Sequence, residues 1–143
     1  MKARAVALLA RREHSRAEIR AKLVASGDAE PAEVDRVLDE LVARGLLSDA
    51  RYASAVVANK AGTHSKRAIG AALKARGVDD EAIARAIEAN PIDDERAMTA
   101  LWRRRFGEPP ADEREKARQV RFLQSRGFSL SAILKLLRDP PAE

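Results

Sequence analysis

The sequence repeats one pattern at intervals of 50 residues, and this repeat constrains the fold more than any other feature. The tripeptide His14-Ser15-Arg16 returns as His64-Ser65-Lys66. Each tripeptide is followed at identical spacing by an isoleucine, a leucine and a glycine: Ile19, Leu23 and Gly27, then Ile69, Leu73 and Gly77. A third copy keeps this spacing for Lys116, Leu123 and Gly127. The chain is therefore predicted to contain three similar repeats, residues 1–48, 49–92 and 93–143.

The repeat extends in both directions from these central positions. Upstream, the same offset links Tyr52 with Trp102, and Val6 with Val56 and Phe106. Downstream, once one residue is deleted after the first glycine, matching apolar positions follow: Val34, Ile83 and Ile133, then Leu38, Ile87 and Leu137. We expect Leu23, Leu73 and Leu123 to be buried at equivalent places in the three repeats.

Each repeat is predicted to consist of three short helices, because apolar residues recur at i, i+3 and i+4. Alanine is abundant and aromatic residues make up 3% of the chain, so a sheet is disfavoured. The fold class is therefore predicted to be all-α. The expected helices cover residues 3–12, 16–26, 31–44, 50–60, 66–76, 80–89, 94–106, 113–126 and 130–138.

Residues typical of helix ends separate these segments. Ser15 with Glu18, and Asp112 with Glu115, have the spacing of a capping box, and Pro31 suits a first helical turn. Glycines that close helices from a left-handed conformation are expected after five of the segments, at Gly27, Gly45, Gly77, Gly107 and Gly127.

The sequence offers no convincing catalytic or metal site. It contains no cysteine, and its two histidines each directly precede a serine N-cap, where packing on Ile19 or Ile69 explains them. The acidic run at residues 93–95 opens a helix, where negative charge is favourable. No nucleotide-binding, zinc-protease or hydrolase motif occurs. We therefore predict that the protein is not an enzyme and has no catalytic, cofactor-binding or metal-binding residues.

The apolar run at residues 5–10 is too short for a membrane span or a secretory signal. We expect a cytoplasmic protein that has no membrane association.

Charge is segregated along the chain, whose net charge is +5. Residues 1–26, 60–77 and 96–106 are mainly basic, whereas residues 27–50 and 78–95 are mainly acidic. Basic helices could simply pair with acidic ones, or they could face an anionic partner. The predicted partner-binding residues are Arg16, Lys66, Arg67, Lys74, Arg103, Arg104, Arg105, Arg114, Lys116, Arg118 and Arg121.

Three of these residues, Arg16, Lys66 and Lys116, share one repeat position. Arg16 and Lys66 directly follow an N-cap, where a positive charge opposes the helix dipole, so helix stability does not explain them. A partner's carboxylates or phosphates would explain them, and so would packing of their aliphatic stems along Ile19 or Ile69.

The run from Trp102 to Phe106 combines two aromatic residues with three arginines, as in proteins that bind single-stranded nucleic acid. Its aromatic residues lie four apart on one helical face, which favours a core role for them. The three arginines span about 200° of the helix, so one or two of them must reach solvent or a partner.

Three segments together resemble the signatures of the bacterial RecX family. They are Ala7 to Arg20, which includes His14-Ser15-Arg16; Gly45 to Ala53, which reads GLLSDARYA; and Phe122 to Phe128, which reads FLQSRGF. Ser48 stands where the family usually has an aspartate. The resemblance covers essentially the whole chain, and three motifs in the right order are more specific than any single one.

The resemblance implies an elongated, curved array of three-helix repeats that binds RecA and the RecA filament on single-stranded DNA. Such proteins inhibit filament growth, and with it the ATPase, strand-exchange and coprotease activities of RecA. This implies a role in DNA repair, recombination and the SOS response. We expect a monomer, with weak DNA binding as an additional property. Two alternatives remain open: a helical module that binds nucleic acid by itself, and a scaffold whose charges are merely solvated.

Overall fold

The computed structural model describes residues 1–27 and 29–141, and all regular secondary structure in these residues is helical. Every predicted helix is present, with each end within one residue of its expected position. The described residues form nine helices: α1 Lys2–Arg11, α2 Arg16–Ala25, α3 Pro31–Ala43, α4 Asp49–Lys60, α5 Lys66–Ala75, α6 Asp80–Ala89, α7 Asp94–Arg105, α8 Glu113–Ser125 and α9 Leu130–Arg138. The predicted all-α class is confirmed.

The residues predicted to begin and end the helices do so in the structure. Ser15 and Glu18 form a complete capping box at the start of α2, and Asp93 and Asp112 accept hydrogen bonds from the backbone of α7 and α8. The five predicted glycines all have positive φ angles. No helix in the described part of the chain is both long and apolar enough to cross a lipid bilayer.

The central leucine of each repeat is buried, as the spacing predicts. Leu23, Leu73 and Leu123 are all 1% exposed or less. Ile19 and Ile69 are also fully buried, whereas the third repeat has a buried glutamine, Gln119, at the matching position. The middle helices α2, α5 and α8 therefore follow the 50-residue offset.

The predicted register between α4 and α7 is wrong by five residues. The structure matches α4 to α7 at an offset of 45, because the buried residues Tyr52 and Val57 correspond to the buried residues Ala97 and Trp102. Tyr52 therefore does not correspond to Trp102, and Val56 does not correspond to Phe106. The discrepancy arises because α8 is three residues longer than α5 and because a longer connection precedes it.

The described residues form two compact units, each with contributions from α4 and α5. The first unit comprises residues 1–57 and 72–90, and the second comprises residues 58–71 and 91–143. The predicted repeat boundaries remain a prediction. The first unit contains a core from α1, α2 and α3 that includes Ile19, Leu38 and Leu41. The core of the second unit includes Trp102, Leu123 and Ile133.

The start of α2 packs against the end of α5 inside the first unit. The Ser15 hydroxyl donates to the carbonyl of Arg76 at 2.7 Å, and the backbone N–H of Arg16 donates to the Asp49 carboxylate at 2.8 Å. A Cβ atom on Gly77 would lie 2.4 Å from that of Ala17. The approach of these two helix ends therefore requires a glycine.

The second unit repeats this junction between α5 and α8. The backbone N–H of Ser65 donates to the carbonyl of Arg126 at 2.9 Å, and that of Lys66 donates to the Asp94 carboxylate at 2.9 Å. A Cβ atom on Gly127 would lie 2.4 Å from that of Ala68. The His-Ser-basic tripeptides and the Arg-Gly dipeptides of the sequence thus meet at two equivalent junctions.

Candidate functional site

Two of the predicted partner-binding residues lie in the first unit, and acidic residues partly neutralise both. Arg16 is half-buried and forms an ion pair with Asp39 at 2.8 Å. One of its side-chain N–H groups also donates to the backbone carbonyl of Asp35 at 3.3 Å. The exposed Lys74 ammonium lies 3.7 Å from the Asp80 carboxylate. Arg16 therefore has close partners within the chain, whereas the exposed Lys74 has only a loose, solvent-exposed ion pair.

The other predicted residues lie in the second unit, where most are exposed. Lys116 is half-buried. Arg114, Arg118 and Arg121 follow one another on α8 at spacings of four and three residues, so they share one helical face. The exposed members of the set are Lys66, Arg67, Arg103, Arg104, Arg105, Arg114, Arg118 and Arg121. Arg118 forms an ion pair with Glu115 at 3.3 Å. The second unit thus carries a basic surface made of many exposed side chains.

Trp102 belongs to the core, as the spacing of the aromatic residues predicts. It is 3% exposed, and its indole N–H donates to the side-chain oxygen of Gln119 at 2.9 Å. The amide nitrogen of Gln119 donates in turn to the carbonyl of Glu108 at 3.2 Å. Gln119 therefore satisfies the one polar atom of the buried indole and anchors the connection that precedes α8.

Phe106 behaves differently, because it is half-buried and packs edge-to-face on Phe122. The two ring centroids are 5.6 Å apart, and the ring planes are inclined at 86°. Both rings are partly accessible to solvent.

Three arginines surround this pair of rings. Arg105 lies 5.0 Å from the centroid of Phe122, Arg126 lies 5.0 Å from the same centroid, and Arg118 lies 5.5 Å from that of Phe106. Guanidinium groups at such distances are attracted to the negative face of an aromatic ring. We refer to Arg105, Phe106, Arg118, Phe122 and Arg126 as the Arg–Phe cluster.

Sequence reasoning missed two members of this cluster. In the sequence, Phe122 and Arg126 stand out only as parts of the segment FLQSRGF, which resembles a family signature. Phe122 lies in the last turn of α8 and Arg126 is the C-cap of that helix, so a spacing of four places them on the same side, and this signal could have linked them. Nothing in the sequence indicated that α7 would bring Arg105 to that face.

A groove of about 530 Å³ adjoins the cluster. It is lined by Thr63, His64, Leu101, Arg104, Arg105, Phe122 and Arg126, so no carboxylate is among the lining residues. Burial lowers the pKa of His64, and the positive charges of Lys60 and Arg126 lower it further. The groove is therefore an electropositive concavity with an apolar wall.

A second groove, of about 660 Å³, lies elsewhere in the second unit and carries charges of both signs. Arg67 and Lys135 line it together with Asp94 and Glu95. Its apolar lining includes Met98 and Phe128. Since opposite charges meet at this groove, it is less suited than the first to a strongly anionic partner.

His14 occupies a position consistent with a structural role. His14 is 2% exposed, and its Nδ1 lies 3.0 Å from the carbonyl oxygen of Arg12. Burial lowers its pKa. Within residues 1–27 and 29–141, no three His, Asp or Glu side chains are grouped so that they could hold a metal ion.

Comparison with protein families reveals three successive matches along the chain. The first three-helix domain of RecX matches residues 2–41, the second matches residues 48–87, and the third matches residues 93–137.

Individual relatives agree with this result. The chain is 46% identical over 138 residues to the "Regulatory protein RecX" of Leptothrix cholodnii, covering 96% of this chain and 87% of the relative. It is 38% identical over 137 residues to the protein of the same name from Ralstonia pickettii, covering 96% and 86% respectively.

The fold is also similar to that of the crystal structure of RecX from Lactobacillus salivarius. The TM-score is 0.68 at 20% identity, and the match covers 96% of this chain and 92% of that one.

Proposed function

The chain belongs to the RecX family of regulatory proteins, and from this premise we propose that it binds RecA and the filament that RecA forms on single-stranded DNA. Binding inhibits filament growth, and the ATPase, strand-exchange and coprotease activities that depend on the filament decline with it. The protein acts in the cytoplasm as a monomer, in the regulation of recombination, DNA repair and the SOS response.

One observation carries this proposal: three RecX domains match in order from residue 2 to residue 137. The basic surface of the second unit supports it, because a surface with many exposed arginines fits an anionic partner. In this mechanism the protein makes and breaks no covalent bond. It lowers RecA activity by occupying a surface that an added RecA subunit or DNA requires.

The direct test is the rate of ATP hydrolysis by RecA on single-stranded DNA, measured against the dose of this protein. We expect the rate to fall at or below one molecule of this protein per RecA. The protein alone should hydrolyse neither ATP nor DNA, and treating it with EDTA, followed by removal of the chelator before the assay, should leave its inhibition of RecA intact. An unchanged rate at large molar excess, with filaments that form normally, would contradict the proposal.

A helical module that binds nucleic acid independently is the second candidate function, and the Arg–Phe cluster is the observation that favours it. DNA binding that weakens steeply as salt rises, together with an unchanged rate of ATP hydrolysis by RecA, would favour this function over the first.

A further inference from the structure

The groove of about 660 Å³ in the second unit has an apolar floor. Met98 of α7, Phe128 and Leu136 of α9 line it, and they are 3%, 5% and 7% exposed. We refer to it as the α7–α9 groove. Aromatic residues and methionine are enriched at the centres of protein interfaces, and a methionine side chain adapts to partners of different shape. The floor therefore offers contact surface to an apolar side chain of another protein.

Two helices line the α7–α9 groove, each with one of its faces. On α9 the lining residues are Ala132, Lys135, Leu136 and Asp139, which have the spacing i, i+3, i+4 and i+7 of a single helical face. The first turns of α7 line the opposite side. Ridges of a third helix fit a groove of this kind, and an amphipathic helix enters it with apolar residues at the same spacing.

The rim of the groove carries charges of both signs that the chain does not neutralise. Arg67 and Lys135 are positive, Glu95 and Asp139 are negative, and all four are exposed. None of the four forms an ion pair within residues 1–27 and 29–141. By contrast, both arginines that line the groove of about 480 Å³ in the first unit are ion-paired. The rim of the α7–α9 groove therefore favours a partner that carries both an acidic and a basic group.

These charges also select the class of partner. Asp94 lines the groove as well, so three carboxylates stand beside two cations. Phosphate groups of a nucleic acid would be repelled by the carboxylates. A polypeptide segment can present acidic, basic and apolar side chains together, and it is the partner that matches both the floor and the rim.

We propose that the α7–α9 groove binds an amphipathic helix of RecA. The helix places an apolar side chain on the floor, an acidic side chain near Arg67 and Lys135, and a basic side chain near Glu95 and Asp139. This inference rests on the proposed function and adds to it a site on this chain and the kind of segment that the site takes.

Exchanging two rim charges tests the proposal without altering the net charge. The combined change Glu95→Lys and Lys135→Glu places like charges together at the contact. It should raise the dose that half-inhibits ATP hydrolysis by RecA about fivefold or more, while circular dichroism remains unchanged.

The matched control is the combined change Glu33→Lys and Lys22→Glu in the first unit. Glu33 and Glu95 both lie in the first turn of a helix, and Lys22 and Lys135 both lie in the last turn of one. All four are exposed, so the two double variants lose the same favourable interactions with helix dipoles. The control should change the half-inhibiting dose less than about twofold, because exposed charges contribute little to folding.

Photocrosslinking identifies the partner directly. Thr99 is half-buried in the wall of the groove, and replacing it with p-benzoylphenylalanine places a photoreactive group there. Irradiation in the presence of RecA filaments should join this chain to the RecA polypeptide. Mass spectrometry should locate the crosslink on a helical segment with apolar residues three and four positions apart. The exchange of Glu95 and Lys135 in the same chain should lower the yield about fivefold or more.

Two results would overturn the inference while the parent protein still inhibits RecA. One is full inhibition by the folded charge-exchange variant. The other is the lack of a crosslinked product with RecA, whether or not a product forms with DNA or with a second copy of this chain. A parent protein that has no effect on RecA would instead contradict the proposed function, and the inference with it.

Discussion

Glu18 links three parts of the first unit through a single buried carboxylate. It accepts hydrogen bonds from the backbone N–H of Ser15 at 3.0 Å and from Arg12 at 3.1 Å, and Arg76 approaches it at 3.5 Å. Burial acts to raise the pKa of Glu18, but the hydrogen bonds from Arg12 and Ser15 outweigh it, so the pKa lies below its ordinary value of 4.5. The charged form therefore stabilises the fold.

This arrangement predicts that Glu18→Gln changes the free energy of unfolding in a pH-dependent way. Glutamine retains the shape and the capping geometry of glutamate, so the variant isolates the charge. Hydrogen bonds to a charged group contribute about 1.5 to 3 kcal/mol to stability. Because both arginines are partly exposed, we expect Glu18→Gln to lower the free energy of unfolding by about 1 to 2 kcal/mol at pH 7.

Because the folded-state pKa is lowered, this contribution is fully present above pH 4.5 and is lost as the pH falls through the folded value. Urea unfolding of both proteins at pH 7 and at lower pH measures the difference. A difference that stays constant down to pH 3 would show that the Glu18 charge is not responsible.

The helices are joined at two equivalent junctions, and a glycine is required at each. Gly77 has a φ of 82°, and its backbone lies against Ala17 at the start of α2. Gly27 has a similar φ of 71°, but a Cβ atom there would meet nothing within 4 Å. An alanine would therefore meet similar backbone strain at the two positions but different amounts of space.

Comparing Gly77→Ala with Gly27→Ala measures the packing of the junction alone. The left-handed conformation costs alanine about 1 to 2 kcal/mol at either position. Overpacking against Ala17 should add about 1 to 3 kcal/mol at Gly77. Chemical denaturation should therefore show a clearly larger loss of unfolding free energy for Gly77→Ala. Equal losses in the two variants would mean that the two helix ends are not in contact in solution.

Across the whole molecule, some basic side chains form ion pairs with acidic residues of the chain, whereas others are exposed to solvent and can contact a partner. Arg16 is largely committed to Asp39, whereas Arg67 and Arg121 are exposed. Exposed charges contribute about 0 to 1 kcal/mol to stability, so reversing them should affect binding far more than folding.

We expect the combined change Arg67→Glu, Lys74→Glu and Arg121→Glu to weaken inhibition of RecA more than tenfold, which corresponds to about 1.4 kcal/mol. Part of the salt sensitivity of inhibition should disappear as well. Inhibition at two salt concentrations, with helicity verified by circular dichroism, provides the measurement. The control changes Arg4, Lys22 and Arg36 to glutamate, which alters the net charge equally.

Full inhibition by the folded triple variant would place the contact elsewhere. The acidic third helices, around Asp35, Asp39 and Glu88, would then be the next surface to test.

The features that could be predicted from the sequence depend on neighbours within one or two helical turns. The helix limits, the Ser15 cap and the left-handed glycines are local, because each results from residues no more than four positions apart. The buried leucines at positions 23, 73 and 123 follow from helical periodicity combined with the repeat. These features sufficed to predict an all-α chain with its helices in the right places.

The register and the contacts between separate helices depend on the tertiary structure. The five-residue shift of α7 depends on the length of a connection and on an added turn of α8, neither of which changes the local apolar spacing. Two sets of contacts bring together side chains from different helices. Arg16 pairs with Asp39, and Arg105 meets Phe122 and Arg126. Helical periodicity fixes which face a side chain occupies on its own helix, but packing selects the helix that it meets.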